Sequence, residues 1–595
     1  MKFSILKSVL LIAPMLAINT ACIDDNYDLS NIDTTTQINI NDLEIPINLD
    51  AIKLNNLIEI DEDSEIQVYT DTEGNKYYAV KESGEFSSSE IYINEVMCQA
   101  PNVDPSVTTI DISSISIPGF TIPSLPNIPI TPPAGIDVSF EVPTLTNEFN
   151  YDIQNIDPSI HSVKSIEIKP LKIRLNIALS GINNAVTDID FKNLRITTPK
   201  GLNASVTEGE GTYNSSTGEI SIPHLTSVNG VANIALTVTG IDFEVFGSSL
   251  DYDTHTLSCH GEINIVGGEI HATTTGQPIP SSITLTVAST FTDIIATSFT
   301  GEIEYLISGI NVPNVDISGL PEFLSNSNTD ISLINPQIYL SVNNPVGNYG
   351  LVCQTGITLS ALRDNMPSKD FSINDAYFTI GADAGNGKYN FCLSPEKPSN
   401  PIAEFANNFT WVEFTDLSYL LAGEGLPKAI GITLNNPCIP TQSVTEFKLG
   451  TTLDGVQGNY ELFAPLALID GSSIVYSATE TGLNEDELNN LVINKLEINA
   501  NVTTNIPLQA NITASLLDKN GNTLNATISC SEIPAQAQDA PITISLQDGV
   551  TVKDLDGITF TATVVADGET ALSPDMTITL RNVRAKVSGH YTKKI

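Results

Sequence analysis

The chain has 595 residues, 41% of them hydrophobic and only 16% charged, and 26 basic against 70 acidic residues leave a net charge of −44. That length holds several cores, about four at roughly 150 residues per domain. The charge argues against nucleic acid, whose binding needs a basic face to release counterions, and offers no basic patch to an anionic membrane.

Lys2 and Lys7 give the chain a positive start, and Val9 to Ile18 form a short apolar run broken by Pro14. The run is too short to remain as a membrane-spanning helix, so residues 1–21 are predicted to be a secretory signal peptide. The segment Asn19-Thr20-Ala21-Cys22 resembles the lipobox of signal-peptidase-II substrates, in which a small residue precedes the Cys whose thiol takes diacylglycerol; Asn19 stands where Leu is usual. The resemblance implies that Cys22 is the lipidation site and that the partner is a membrane reached through a lipid anchor. Next, Ile23-Asp24-Asp25-Asn26-Tyr27-Asp28 resembles the start of surface-exposed lipoproteins of the Bacteroidota, where an acidic cluster behind the lipidated Cys directs the protein to the cell exterior. In that group an Asp-Thr pair followed by a small or apolar residue can carry an O-glycan, which implies Thr34, in Asp33-Thr34-Thr35, as a possible O-glycosylation site.

Abundant Thr, Ser, Asn, Ile and Val predict an all-β fold of several tandem β-sandwich domains with short connecting helices. Residues 22–100 read as an N-terminal tether and β region. Residues 101–143 carry nine prolines and no charge from Ile112 through Ile136, so they are predicted to run extended along an edge or between domains. Sandwiches are then expected over 144–310, over 311–480 with short helices, and over 481–595. Their signature is alternation: Leu171, Ile173, Leu175, Ile177 and Leu179 against Lys172, Arg174 and Asn176, and again at Leu496, Ile498, Ala500 and Val502 and at Ile558, Phe560, Ala562 and Val564. Glu73-Gly74-Asn75, Asn386-Gly387, Asn520-Gly521 and Asp567-Gly568 supply hairpin turns. Short helices are expected from Asn400-Pro401 to about Phe409 and over Asp486 to Leu491.

Residues 26–33 recur almost intact at 150–157, as the entry to two modules or a chance echo, and Leu340-Ser341-Val342-Asn343-Asn344-Pro345 recurs as Ile432-Thr433-Leu434-Asn435-Asn436-Pro437; such repeats suggest duplicated sandwiches, without fixing a period. The run from Asn335 to Pro345 also resembles the strand-and-Asn-Pro signature of late-embryogenesis-abundant type 2 (LEA-like) sandwiches, which implies a sandwich near 320–470 and nothing about ligand. The other domains are expected to be immunoglobulin-like or of this kind.

For chemistry, six cysteines follow Cys22, scattered and without a Cys-x-x-Cys pair, which argues against zinc or redox motifs. Cys353 and Cys392, in neighbouring strand-like runs, form the possible disulfide, with buried thiols as the favoured alternative. Asp251, Asp253, His255, Cys259, His260 and His271 crowd together, but a hairpin explains them better than a metal site. Asp61-Glu62-Asp63-Ser64-Glu65 and Asp518-Lys519-Asn520-Gly521-Asn522 lack calcium-loop spacing. No catalytic motif is found, so no cofactor, metal or enzyme activity is expected. The single Trp411 reads as a core anchor. The basic end, Arg581, Arg584, Lys586, Lys593 and Lys594, reads as the solvated face of an edge strand whose charges prevent pairing. The expected role is non-catalytic binding, adhesion or envelope structure on an unknown protein or glycan ligand; the alternative is a fimbrial or pilus-type subunit, or a glycan-binding accessory of an uptake system.

Overall fold

The computed structural model describes residues 35–47, 51–56, 58, 60, 64–111, 117, 131–182, 184–364, 367–381, 387–405, 408–481, 491–547, 549–553 and 555–594. The fold is all-β, as predicted, and the α-helices among these residues are the short Phe243–Phe246, Glu322–Ser325 and Asp416–Leu421. The alternating pattern works as read: Leu171, Ile173, Leu175, Ile177 and Leu179 of the strand Ile160–Ser180 are buried while Lys172 and Arg174 are exposed, because successive side chains leave opposite faces of a pleated strand.

That strand lies in an eleven-stranded sheet. Val231–Asp242 and then Leu202–Glu208 flank it on one side; Ile294–Leu306, Ala429–Lys448, Cys353–Leu362 and Lys369–Ile380 continue on the other. Two smaller sheets cover successive parts of it. A seven-stranded sheet centred on Thr256–Thr274 and Val186–Thr197 packs over the first part, where Asn147 donates across the gap to the Val287 carbonyl and the Ser289 hydroxyl. A six-stranded sheet centred on Gln337–Asn343, Lys388–Ser394 and Gln457–Pro465 packs over the second, where Phe378 and Phe391 meet at 5.4 Å. The first and middle sandwiches thus share a sheet and one continuous apolar core. In the C-terminal sandwich, the strands Thr577–Lys594, Leu491–Thr504, Ala540–Leu546, Thr523–Cys530, Leu508–Leu517 and Gly557–Ala566, neighbours in that order, curl around two small apolar clusters. Ile498, Ala500, Val502, Phe560 and Val564 all face these clusters.

Residues 35–111 form no unit of their own. Thr35–Ile47 pairs with the last strand, Thr577–Lys594. Ile66–Thr70 and Lys76–Ser87 extend the middle sandwich beside Gln457–Pro465, and Ile91–Tyr92 pairs with Thr452–Leu453. Val96–Cys98 then joins Ile294–Leu306, and Ser106–Asp111 joins Ser282–Thr290 in the first sandwich. The segment is laced through all three sandwiches, from the C-terminal one back to the first. The proline-rich stretch begins and ends as strand, Ser106–Asp111 and Asp137–Glu141, with residues 112–116 and 118–130 outside the described residues.

Several expectations are corrected. The last strand is no edge: Thr35–Ile47 covers it, Arg584 pairs with Glu44 at 2.9 Å, and Lys495 on the next strand reaches Asp42 at 3.6 Å. The echo of Leu340–Pro345 in Ile432–Pro437 marks two strands in the opposed sheets of one sandwich, not two sandwiches. The stretch from Asn400 yields one 3₁₀ turn, Ala403–Phe405, and Leu491 opens a strand, with Asp486 to Asn490 outside the described residues. The helix forms instead at Asp416–Leu421, where Leu417, Leu420 and Leu421 share one buried face and Asp416 sits in the first turn.

With its cover removed, the last strand would present an open ladder edge. A chain lacking residues 1–47 is expected to associate in a concentration-dependent way in sedimentation velocity and to unfold at a lower temperature than the full chain. A monodisperse truncated monomer with an unchanged midpoint would refute this role for the first strand.

Candidate functional site

Cys22 and Thr34 lie outside the described residues, as do the signal segment, residues 26–33 and Asp61 to Asp63. The first described residue, Thr35, pairs with Lys594.

Cys353 and Cys392 are both buried thiols rather than a disulfide. The pleat separates them. On Lys388–Ser394, Phe391 and Leu393 point into the main core that holds Cys353, whereas Cys392 points to the opposite face, among Tyr339, Ile402 and Phe405. Burial pushes the Cys353 thiol up to about 12 and the Cys392 thiol up to about 11, which leaves almost no reactive thiolate at neutral pH.

The histidine neighbourhood resolves into a hairpin. Asp251 Oδ1 accepts the backbone N–H groups of Asp253 and Thr254, and His255 follows with φ 50°. Cys259 is buried and His260 exposed on the opposite face, while His271 pairs with Glu269 at 2.9 Å. Among the described residues no three His, Cys, Asp or Glu side chains are placed to hold a metal ion. The Asp518 loop is likewise a turn, its carboxylate accepting the N–H groups of Asn520 and Asn522. The same arrangement recurs at Asp71 with Glu73 and Asn75.

What the fold brings together was not visible as a motif. Tyr252, at that hairpin's tip and substantially exposed, stacks on His161 of Ile160–Ser180 with ring centres 4.4 Å apart. Its hydroxyl lies 3.2 Å from His161 Nε2, and Glu304 Oε2 lies 3.0 Å from the same nitrogen. Thr441 donates to that carboxylate at 2.7 Å, and the His255 ring meets Tyr252 edge-on at 5.3 Å. Four separate strands and turns thus converge on one polar, aromatic surface group able to exchange hydrogen bonds with a ligand.

A second aromatic group lies on the outer face of the six-stranded sheet. Tyr339 stacks on Phe405 at 4.8 Å, and Tyr69 meets Phe463 edge-on at 4.9 Å and Tyr77 at 6.1 Å. Lys81 Nζ lies 2.7 Å from the buried Glu461 and 3.8 Å from Glu404 in the segment that covers this face. Burial raises the Glu461 carboxyl above its ordinary value although Lys81 opposes the shift. Tyr339 and Phe405 are core, and Tyr69 and Tyr77 form a half-buried rim. Trp411 is half-buried on Thr410–Glu413, at the edge of the sheet, and its indole N–H donates to Ser394.

No protein-family model and no curated protein matches the chain. Among solved structures, a candidate secreted protein of Parabacteroides distasonis ATCC 8503 aligns at 16% identity and a TM-score of 0.33, over 49% of this chain and 89% of that one. An archaeal virus protein with a triple jelly roll fold aligns at 12% identity and a TM-score of 0.10, over 83% of this chain and 91% of the other. Neither likeness is close enough to define the fold.

Two measurements follow from this geometry. In Lys81→Met, Glu461 loses its counter-ion and its folded-state pKa rises further. A carboxyl pKa raised by folding means that stability is lost as pH rises through that pKa and regained as pH falls. The variant should therefore be about 1–3 kcal/mol less stable than the parent at pH 8, less than a fully buried pair would cost because Lys81 is about a third exposed. The deficit should shrink toward pH 5 in denaturant titrations, whereas a constant deficit would clear Glu461 of responsibility. For the thiols, iodoacetamide at pH 8 should modify half-buried Cys98 and Cys530 in the native chain well before Cys353 and Cys392. Peptide mass spectrometry without reductant checks this, and a linked Cys353–Cys392 peptide would overturn the assignment.

Proposed function

We propose that the chain is a surface lipoprotein, anchored in the outer membrane through Cys22 and facing outward, that acts by binding and not by catalysis. The observation that carries this reading is the lacing of residues 35–111. Thr35 follows Cys22 by thirteen residues and starts on the last strand, so the C-terminal sandwich sits within about 45 Å of the anchor, the greatest reach of thirteen extended residues. The chain then runs through the middle sandwich to the first, which stands last along the path from the tether. A tether at one end of three coupled sandwiches is an arrangement for presenting a surface away from the membrane.

A binding role is further supported by where the polar chemistry lies. The Tyr252 group is on an open face, whereas a cavity inside the middle sandwich holds about 30 Å³ and is walled mainly by apolar side chains such as Phe86, Leu340, Ile357 and Ile432. That volume admits no more than a water molecule or two. A pilus-type subunit that assembles by strand exchange needs an unfilled strand position. The last strand is instead flanked on both sides, by Thr35–Ile47 and Leu491–Thr504.

Cys22→Ser is expected to move the protein from the membrane fraction to the soluble one and to abolish incorporation of labelled palmitate. The parent should lose immunoreactive material when intact cells meet an external protease. Unchanged membrane retention of the variant, or full protection of the parent on intact cells, would refute the anchor or its outward orientation respectively.

A further inference from the structure

An open cleft of about 360 Å³ lies on the first sandwich, at the edge of the eleven-stranded sheet remote from the middle sandwich. Three strand segments stand in register there. Glu167 pairs with Gly240 and Gly240 with Asn203; Ser165 pairs with Asp242; Ile166 pairs with Ile241 and Ile241 with Leu202. Ile166, Ile241 and Leu202 are buried, so the alternate residues form outward rows: Glu167, Gly240 and Asn203 in one, Ser165 and Asp242 in the next.

Gly240 is itself buried, and the Glu167 carboxylate lies over it. A Cβ there would stand 3.3 Å from both carboxylate oxygens of Glu167 and 3.1 Å from the Ile166 carbonyl. Gly201, at φ +86°, closes one end, where a Cβ would meet the Asp242 carbonyl at 2.5 Å. Ser215 and Ser216, at the tip of a hairpin from the seven-stranded sheet, rise as one wall, and Val245, 54% exposed, adds an apolar surface.

We infer that this cleft binds a neutral carbohydrate, as one or two sugar residues of a glycan. The inference rests on the surface-binding reading above and gives it a ligand class. The volume falls in the range of small-ligand sites, about 300–1,000 Å³. The lining offers the Glu167 carboxylate, the Asp242 carboxylate with one oxygen already accepting the Val245 N–H, the Asn203 amide, the Ser165 and Ser215 hydroxyls beside Ser216, whose hydroxyl donates to Asn214, and a valine for the C–H face of a sugar ring. An anion meets two carboxylates in a chain of net charge −44. A cation finds two carboxylates where a calcium site uses six to eight oxygens. The polyhydroxylated neutral ligand is the one whose groups match the lining. The cleft's place on the sandwich farthest along the chain path from the tether is where a surface binder would meet a glycan.

The test uses the full chain in saturation-transfer NMR and titration calorimetry. Maltohexaose, mannohexaose and xylohexaose form the glycan arm, glucose, mannose and xylose the free-sugar arm, and calcium chloride alone the cation arm. At least one hexasaccharide should bind, and Glu167→Gln and Asn203→Trp should each weaken it tenfold or more with an unchanged unfolding midpoint. Both residues are exposed, so neither change disturbs the core. A response to free sugars that the same variants abolish supports the site equally and assigns the source to small saccharides. Sugar binding untouched by either variant, no sugar response at all, or calcium binding alone that Glu167→Gln abolishes would each overturn the proposal. These outcomes leave the anchor, tested through Cys22, standing or falling separately.

Discussion

The pairing of Thr35–Ile47 with Thr577–Lys594 fixes the course of everything between them. Its register runs from Thr35 opposite Lys594 to Ile47 opposite Val583, with one bulge where Asp42 takes φ 44°. Once the chain starts there, its next strands must travel the length of the molecule to reach the first sandwich, and each adds to a sheet on the way. The three sandwiches are therefore joined by ladders of backbone hydrogen bonds as well as by covalent linkers. Independent domain motion, the ordinary expectation for tandem domains, is opposed by those ladders and by the core that the first two sandwiches share.

Stability is not spread evenly over this frame. The first and middle sandwiches close on one continuous cluster containing Ile177, Phe191, Phe299 and Phe447, all essentially inaccessible. The C-terminal sandwich encloses two small clusters, and many of its inward positions, such as Ile498, Ile512 and Phe560, are only partly buried. Apolar burial contributes about 25 cal/mol per Å², so this sandwich gains less from its core and leans more on its strand ladders. The first strand matters most where the core is weakest. Its inward residues are also exposed, Ile38 by 49% and Leu43 by 36%, so it acts chiefly through the ladder and its charge pairs.

The all-β class and the faces of individual strands were legible in the sequence because alternation and turn chemistry are local: Leu171 to Leu179 and the loops at Asp71 and Asp518 need no distant partner to be read. Pairing was not legible. Nothing near Arg584 announces that Glu44 lies opposite, so the basic face of the last strand looked like an edge defence. The Asn-Asn-Pro echo was real as sequence but misread as duplication, because a sandwich uses similar strands on both of its sheets. The Tyr252 group joins His161, Glu304 and Thr441, which no spacing connects. The close approach at Gly240, where the Glu167 carboxylate lies over the strand, did carry a readable signal, a glycine inside an alternating strand.

The same topology constrains how the protein forms. In synthesis the N-terminal segment comes first, yet its partners come late: Gln457–Pro465 for the strand Lys76–Ser87, and Thr577–Lys594 for Thr35–Ile47. Pairings of such long sequence separation are slow to close, and the waiting strand offers unpaired ladder groups to any other chain. Its composition answers that hazard. Asp42 and Glu44 place charges within the strand, Pro46 removes a donor, and the bulge at Asp42 breaks the flat edge. The acidic residues that later pair with Arg584 and Lys495 thus serve before pairing as well, keeping the segment single until the strand Thr577–Lys594 arrives.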